Sequence, residues 1–390
     1  MKIAFVAIYP LHGTGYARIA NKITNYLVNI PSVELCYYAL YVGNECDMIK
    51  DRYIDPKIKM YDSNTIHLQR MLEIEQPDSL FMYMDPLEIV HILESVSKKN
   101  IPSKLYLYID LVYEWERPGY FKILKTYNIT QIFTFLDYWK HHFIYDLGFN
   151  KNIVTTLPHG VDFNEFVCFP KKEAKKLLGF NSDDFLIINM NRNSPRKKME
   201  ITIRAFLDFL VDQSMNPIIK LYLNAHPTSK NNERPHLADI IESECMIRKI
   251  DSNLIFDQHI IFKGNFHYRD NKSVNLIYSA SDVGITSTSG EGFGLTIVEH
   301  AYFNVPQITS EIPQIKETMG TNAFYVKPIC KMVSMEITHG YEYYTDSDGY
   351  RNHLNYIFNN RNLCINTQDY IKSKYSWENV YKVLDAFFRN

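Results

Sequence analysis

The chain has 390 residues, 46% hydrophobic and 22% charged, with a formal net charge of −2. Two domains of ordinary size are expected at that length; the balanced charge supplies no field for nucleic acid, and no apolar run reaches the ~18 residues of a membrane span. Six widely spaced cysteines (Cys36, Cys46, Cys168, Cys245, Cys330, Cys364) contain no C-x-x-C pair, which argues for reduced thiols in a cytoplasmic setting and against a disulfide framework or zinc site.

Ile3 to Ile8 is a nearly continuous apolar run, the pattern of a parallel strand buried on both faces. It lacks the cleavage site of a secretory leader and runs directly into LHGTGY. A helix is expected from about Ala17, with Ile19, Ile23 and Leu27 on one face. Strand, glycine turn and helix open a doubly wound sheet. Arg18 stands where a dinucleotide-binding turn has its third glycine, so Gly13 and Gly15 alone speak weakly for such a cofactor. Strand-like runs follow at 33–42, 79–84, 104–109, 131–135 and 152–157, with helical stretches at 65–75 and 86–97. This alternation predicts a parallel α/β sheet. YIDLVYEWERP follows the fourth run and should emerge at the carboxyl edge of the sheet, where ligands bind. Its Asp110 and Glu114 are candidates to bind or activate a hydroxyl, or are loop charges in solvent. His159 reads as a turn residue before Gly160, and the charged stretch 170–181 as an interdomain linker.

The second domain is expected from Asp184, with FLIINM as its first strand. NRNSPRKKME follows, then a helix with Ile203, Phe206, Leu207 and Leu210 on one face. A basic loop at a strand's carboxyl end suits phosphate: arginine grips two oxygens at once and lysine supplies a point charge. Strands at 218–225, 259–262 and 282–286 and helices at 236–250 and 275–280 lead to STSGEGFGLTIVEHA, residues 287–301. Gly290, Gly292 and Gly294 clear side chains, so backbone N–H groups can approach a ligand. Leu295, Val298 and Tyr302 then take helical spacing. A helix opening behind such a loop offers unpaired N–H groups to an anion. Glu291 and Glu299 bracket the site, and carboxylates beside a phosphate accept hydrogen bonds from hydroxyls. Phosphate and hydroxyls together suggest a nucleotide-sugar.

EGFGLTIVE resembles the E-x7-E motif of family 4 glycosyltransferases, retaining enzymes of the GT-B fold, and VPQITS and IPQIKE resemble the strand and loop that follow it there. LPHGVDFNEF resembles the segment that closes the family's first domain, with His159 in place of Asn, and Asn304 replaces a Gly in a helix-ending turn. The resemblance implies two doubly wound, Rossmann-like domains facing a cleft. Residues 1–170 would be the acceptor side, with the C-terminal helix 374–390 packing back on them, and residues 171–373 would bind the donor.

The implied reaction moves a sugar from a nucleoside diphosphate sugar to an acceptor hydroxyl with retention. Arg192 and Lys197 match the family's R-x4-K pair that stabilises the donor diphosphate; Arg196 or Lys198 substitutes if the loop register differs. Glu291 would hold sugar hydroxyls, Glu299 the ribose, and the backbone at Gly292, Phe293, Gly294 and Leu295 the phosphates. Gly13, Thr14 and Gly15 match a loop near the donor phosphates and the acceptor, and Asn265, Phe266 and His267 lie where the base pocket is expected. The donor is a UDP- or GDP-sugar, GDP-mannose being preferred, the acceptor is a carbohydrate or glycan, and neither cofactor nor metal is implied. Asp346-Ser347-Asp348 imitates a metal-holding D-x-D motif, but it lies in what reads as a loop insertion, so a polar turn is expected. A non-catalytic GT-B protein that binds nucleotide-sugar or carbohydrate is the alternative; a nicotinamide oxidoreductase is disfavoured by the missing third glycine. Peripheral membrane contact stays open.

Overall fold

The computed structural model describes residues 1–43, 52–228, 236–262, 271–335, 339–361, 363 and 365–389. The chain divides into two compact units, Met1–Gly160 with Tyr375–Asn390, and Val161–Lys374.

The first unit begins with β1 (Lys2–Ile8), α1 (Gly15–Leu27), β2 (Glu34–Leu40), β3 (Lys59–Asp62), α2 (Leu68–Glu75) and β4 (Ser79–Met84). It continues with α3 (Pro86–Glu94), β5 (Lys104–Ile109), α4 (Pro118–Leu124), β6 (Gln131–Thr134), α5 (Asp137–His141) and β7 (Val154–Thr156). Among the described residues these strands form one sheet of order β3-β2-β1-β4-β5-β6-β7, parallel throughout. All six residues of β4 are buried, which is why its run is apolar without alternation. Thr14 caps α1, its Oγ1 accepting the Ala17 N–H at 3.3 Å, and Ile19, Ile23 and Leu27 are buried as their spacing predicts.

The second unit runs α6 (Lys171–Leu177), β8 (Phe185–Asn189), α7 (Met199–Asp212), β9 (Ile219–Leu223), α8 (Leu237–Arg248), α9 (Ser252–Gln258) and β10 (Ile260–Phe262). Then come α10 (Asn271–Ala280), β11 (Val283–Thr286), α11 (Leu295–Ala301), β12 (Gln307–Ser310), α12 (Pro313–Met319) and β13 (Phe324–Val326). It ends with the hairpin β14 (Pro328–Val333) and β15 (Tyr341–Thr345), then α13 (Ser347–Asn359) and α14 (Gln368–Tyr375). Among the described residues its main sheet has the order β10-β9-β8-β11-β12-β13, again parallel.

The last helix, α15 (Trp377–Phe388), belongs to the first unit. It buries Trp377, Val380, Leu384 and Phe388. Tyr26 of α1 stacks on Tyr381 at 3.7 Å between ring centroids and donates to Asp385 at 2.6 Å.

The stretch read as a loop insertion is regular structure. In β15 the buried side carries Glu342, so the strand shows no apolar alternation; Lys198 from another loop answers its charge at 2.8 Å. In α13 Tyr350, Leu354 and Ile357 form the buried face. Asp346 is its N-cap, Oδ1 accepting the Gly349 N–H at 2.9 Å, which accounts for the D-x-D spacing. The charged stretch 170–181 contains α6, whose buried Lys175 donates to Asp282 at 2.7 Å and to the Asp184 carbonyl at 2.6 Å.

In both sheets the strand order reverses once, between β1 and β4 and between β8 and β11. Loops leaving neighbouring strands at such a point diverge and open a crevice at the carboxyl edge. The basic loop after β8 and the glycine loop after β11 leave at that point of the second unit.

Candidate functional site

The two loops are bound to each other through backbone. The Arg196 carbonyl accepts the Ser289 N–H at 2.8 Å and the Ser289 hydroxyl at 3.1 Å. Ser287 Oγ donates to the Lys198 carbonyl at 2.6 Å and lies 2.8 Å from Thr202 Oγ1. Below them, Asn191 Nδ2 reaches Asn189 Oδ1 at 2.9 Å and Thr286 Oγ1 at 3.0 Å. Pro195–Lys197 forms a single 3-10 turn, and Lys198 at φ +45° turns the chain into α7.

This turn brings Arg196 and Lys197 onto Glu291. Arg196 Nη1 donates to Glu291 Oε2 at 3.0 Å and to the Gly290 carbonyl at 3.0 Å, while Lys197 Nζ donates to Oε1. Lys197 and Glu291 are buried. Burial lowers the Lys197 ammonium to about 8, with Arg196 and Arg192 adding to the shift and Glu291 opposing it. For Glu291, burial alone would raise the carboxyl, but Lys197 and Arg196 outweigh it and hold it below the ordinary range. One carboxylate between two cations leaves an excess positive charge at the switch point. Arg192 lies on the same loop with its side chain exposed. Lys198 points instead to the hairpin, pairing with Glu342 and donating to Tyr344 OH at 3.2 Å. The hairpin also holds the glycine loop directly, the Tyr343 N–H donating to the Ser289 carbonyl at 2.9 Å.

Gly294 has φ +84° and ends the glycine loop in the left-handed region, where a side chain is strained, just before Leu295 opens α11. Gly292, Phe293 and Glu299 are buried, and Leu295 is half-buried. Glycine is required at 284 for another reason: an added Cβ would lie 2.3 Å from Gln307 Oε1 and 2.5 Å from His300 Nδ1. That close approach seats α11 against β11. Asn304 follows the helix at φ +57°, and its Oδ1 accepts the N–H groups of Thr367 and Gln368 at 3.0 Å each, so Asn both tolerates the turn and anchors the next segment.

In the first unit, Gly13, Thr14 and Gly15 lead into α1 from the end of β1. Asp110 follows β5 and lies against Tyr16, whose hydroxyl burial raises well above its ordinary value, with the Asp110 charge adding. Glu114 accepts the Tyr138 hydroxyl. The carboxyl that the loop encloses is Glu116, passed over in the sequence because nothing in the spacing of three acids tells which one folds inward. Its Oε1 accepts the Val112 and Tyr113 N–H groups at 3.0 and 2.8 Å, and burial pushes it up to about 8, Asp110 and Asp85 adding to the shift. Trp115 at φ +59° and Arg117 at φ +21° flank it. Non-glycine residues held in such regions cost about 1–3 kcal/mol each. His159 is a core residue, its Nε2 3.1 Å from Tyr83 OH, and burial lowers it to about 3.

Asn265, Phe266 and His267 lie outside the described residues. Among the described residues no cluster of His, Cys, Asp and Glu is arranged to hold a metal, no helix is long and apolar enough to cross a membrane, and Cys36, Cys168, Cys245 and Cys330 are free thiols.

No family model and no curated protein matches the sequence. Solved structures do resemble the fold. Sucrose-phosphate synthase of Thermosynechococcus elongatus matches with a TM-score of 0.73 at 13% identity, over 100% of this chain and 98% of that one. HepE of Anabaena, in complex with UDP and glucose, matches with a TM-score of 0.69 at 14% identity over 99% and 98%. An Escherichia coli trehalose-6-phosphate protein bound with UDP-2-fluoro glucose matches with a TM-score of 0.67 at 13% identity over 100% and 99%. With two parallel, doubly wound sheets and these likenesses running through both units, the chain has the GT-B fold.

Proposed function

We propose that this chain is a glycosyltransferase that moves a sugar from a nucleoside diphosphate sugar to a carbohydrate hydroxyl, with retention at the anomeric carbon. The observation that carries the reading is the buried pair of Lys197 and Glu291, with the partly buried Arg196 on the same carboxylate, at the switch point of the second unit. Departure of the nucleoside diphosphate is the demanding step, because negative charge develops on the leaving oxygen. Lys197, Arg196 and the backbone N–H groups of Gly292 to Leu295 stabilise that charge, held in position before the reaction, and Arg192 adds a cation at the rim. Glu291 accepts hydrogen bonds from the sugar and Glu299 from the ribose. The bond from the anomeric carbon to the phosphate oxygen breaks, the acceptor oxygen attacks from the same face, and the departing phosphate takes the acceptor proton. Residues 171–373 serve the donor on this reading, and residues 1–170 with 374–390 the acceptor. No metal takes part.

The donor is read as a UDP-sugar in preference to GDP-mannose. HepE was solved with UDP and with UDP-glucose, and the Escherichia coli protein with a UDP-glucose analogue. The test is a thermal-shift series with UDP-glucose, UDP-galactose, GDP-mannose and NAD. A ligand at 100 times its Kd adds about 2.7 kcal/mol to the folded state. Stabilisation by a UDP-sugar supports the reading; stabilisation by NAD alone contradicts it.

A further inference from the structure

The loop from Asp110 to Arg117 holds an aromatic ring at the surface against the preferences of its backbone. The chain contains three tryptophans. Trp139 and Trp377 are buried, at 1% and 8% exposure, whereas Trp115 is 37% exposed. Trp115 also has φ +59°, a conformation glycine adopts freely and a tryptophan does not. The indole is therefore carried at a partly exposed position whose backbone favours glycine.

The loop is braced on both sides of that ring. Glu116 ties back the Val112 and Tyr113 N–H groups, and Tyr138 donates to Glu114. The Trp115 backbone N–H donates to His142 Nε2 at 3.4 Å, and the two rings meet edge to face at 5.4 Å. An N–H donor at Nε2 requires a lone pair there, so the ring proton sits on Nδ1, which lies 2.7 Å from Asp146. The backbone at Trp115 is thereby held to His142, and the indole meets the same imidazole edge to face. The loop leaves β5 at the carboxyl edge of the sheet, where doubly wound folds bind ligands.

We propose that Trp115 is a stacking platform for the pyranose ring of a carbohydrate acceptor, with Glu114 beside it accepting hydrogen bonds from the sugar hydroxyls. This assignment rests on the glycosyltransferase reading for the word acceptor, but not for the binding itself. A pyranose presents a flat face of C–H groups that matches an indole, and hydroxyls around its rim that match a carboxylate.

The test is tryptophan fluorescence of the full chain, titrated with glucose, galactose, mannose, N-acetylglucosamine and their disaccharides. The assignment expects a saturable change in emission with at least one of them. It expects Trp115→Gly to lose that response without a fall in Tm, since glycine relieves the left-handed backbone, and Trp115→Phe to keep weaker binding by calorimetry. It is overturned if no saccharide changes the emission, if Trp115→Gly keeps the response, or if Trp115→Gly unfolds at clearly lower temperature, which would make the ring a structural one. Binding of UDP-sugars to the same variants separates the two claims. Trp115→Gly should bind donor as the parent does. Saccharide binding through Trp115 without any nucleotide-sugar binding removes the glycosyltransferase reading and leaves the platform standing.

Discussion

Lys197 and Glu291 form a buried ion pair between two loops that leave adjacent strands at the switch point, and Arg196 holds the second carboxylate oxygen at 3.0 Å. The pair sets the charge of the proposed donor site, because Glu291 neutralises one of two cations. Replacing it by Gln removes that negative charge from beside both. Glu291→Gln should therefore bind UDP more tightly at pH 6, by about tenfold, equivalent to about 1.4 kcal/mol. Loss of the carboxylate also removes the group that raises the Lys197 pKa, so the gain should fade as pH rises and Lys197 loses its proton. UDP lacks the transferred sugar, so a role for Glu291 limited to that sugar's hydroxyls predicts no change; calorimetry at two pH values distinguishes the outcomes.

On the proposed reading, the lowered pKa of Lys197 gives the reaction a basic limb. The ammonium is the competent form, and burial brings its loss of charge down to about 8. The ratio kcat/KM reports the free protein, so it should be level below that pH and fall above it with the loss of one proton. Lys197→Arg should move the limb out of the measurable range, because arginine stays charged. A level profile through pH 9.5 in the parent contradicts this assignment.

Removal of the cations should cost turnover and leave the fold. Arg192 is exposed at the rim, so Arg192→Ala is expected to lower kcat/KM less than Lys197→Ala, which should lower it by about 10²–10³, the usual cost of one charge-stabilising donor in a closed site. Arg196→Ala should do the same, since Arg196 is the arginine on Glu291. Near-normal turnover in all three would make the loop a surface feature.

Glu291 and Glu299 should differ in kind. Glu291 sits with the cations, and on the proposed reading its bonds to the sugar strengthen as the glycosyl cation develops, so Glu291→Gln should chiefly lower kcat. Glu299 is assigned to the ribose, which does not change during the reaction. Glu299→Ala should chiefly raise donor KM, by roughly 10- to 150-fold for a bond of about 1.5–3 kcal/mol. Steady-state kinetics with varied donor decide the matter; an unchanged donor KM in Glu299→Ala removes the ribose assignment.

The hairpin should matter to stability. Lys198 and Glu342 are buried and 2.8 Å apart. Removing one partner of such a pair typically costs about 3–5 kcal/mol, whereas replacing both by apolar residues is often neutral. Glu342→Ala should lower the denaturant midpoint strongly, and Lys198→Met with Glu342→Leu should recover much of the loss. A Glu342→Ala midpoint equal to the parent's would place the pair in solvent.

The parts of this structure readable from sequence are those fixed by short-range pattern. β1, β4 and β8 are continuous apolar runs because parallel strands are buried on both faces, and Gly294 with the helical spacing after it marks the entry to α11. What could not be read depends on distant partners. β15 carries a buried Glu342 that makes sense only beside Lys198, from a loop more than a hundred residues earlier. Arg196 reaches Glu291 because a 3-10 turn and the left-handed Lys198 rotate it there, and spacing alone cannot distinguish it from Arg192. Glu116 is enclosed and Glu114 is not because of how one loop folds, which the run of acids does not encode.

The central claim is tested most directly by following release of nucleoside diphosphate from a UDP-sugar panel, with and without saccharide acceptors, in the parent and in Lys197→Ala. The parent should release UDP from at least one donor, a saccharide should accelerate the release, EDTA should leave the rate unchanged, and Lys197→Ala should slow it by about 10² or more. Absence of UDP release from every donor, or an equal rate in Lys197→Ala, would contradict the claim.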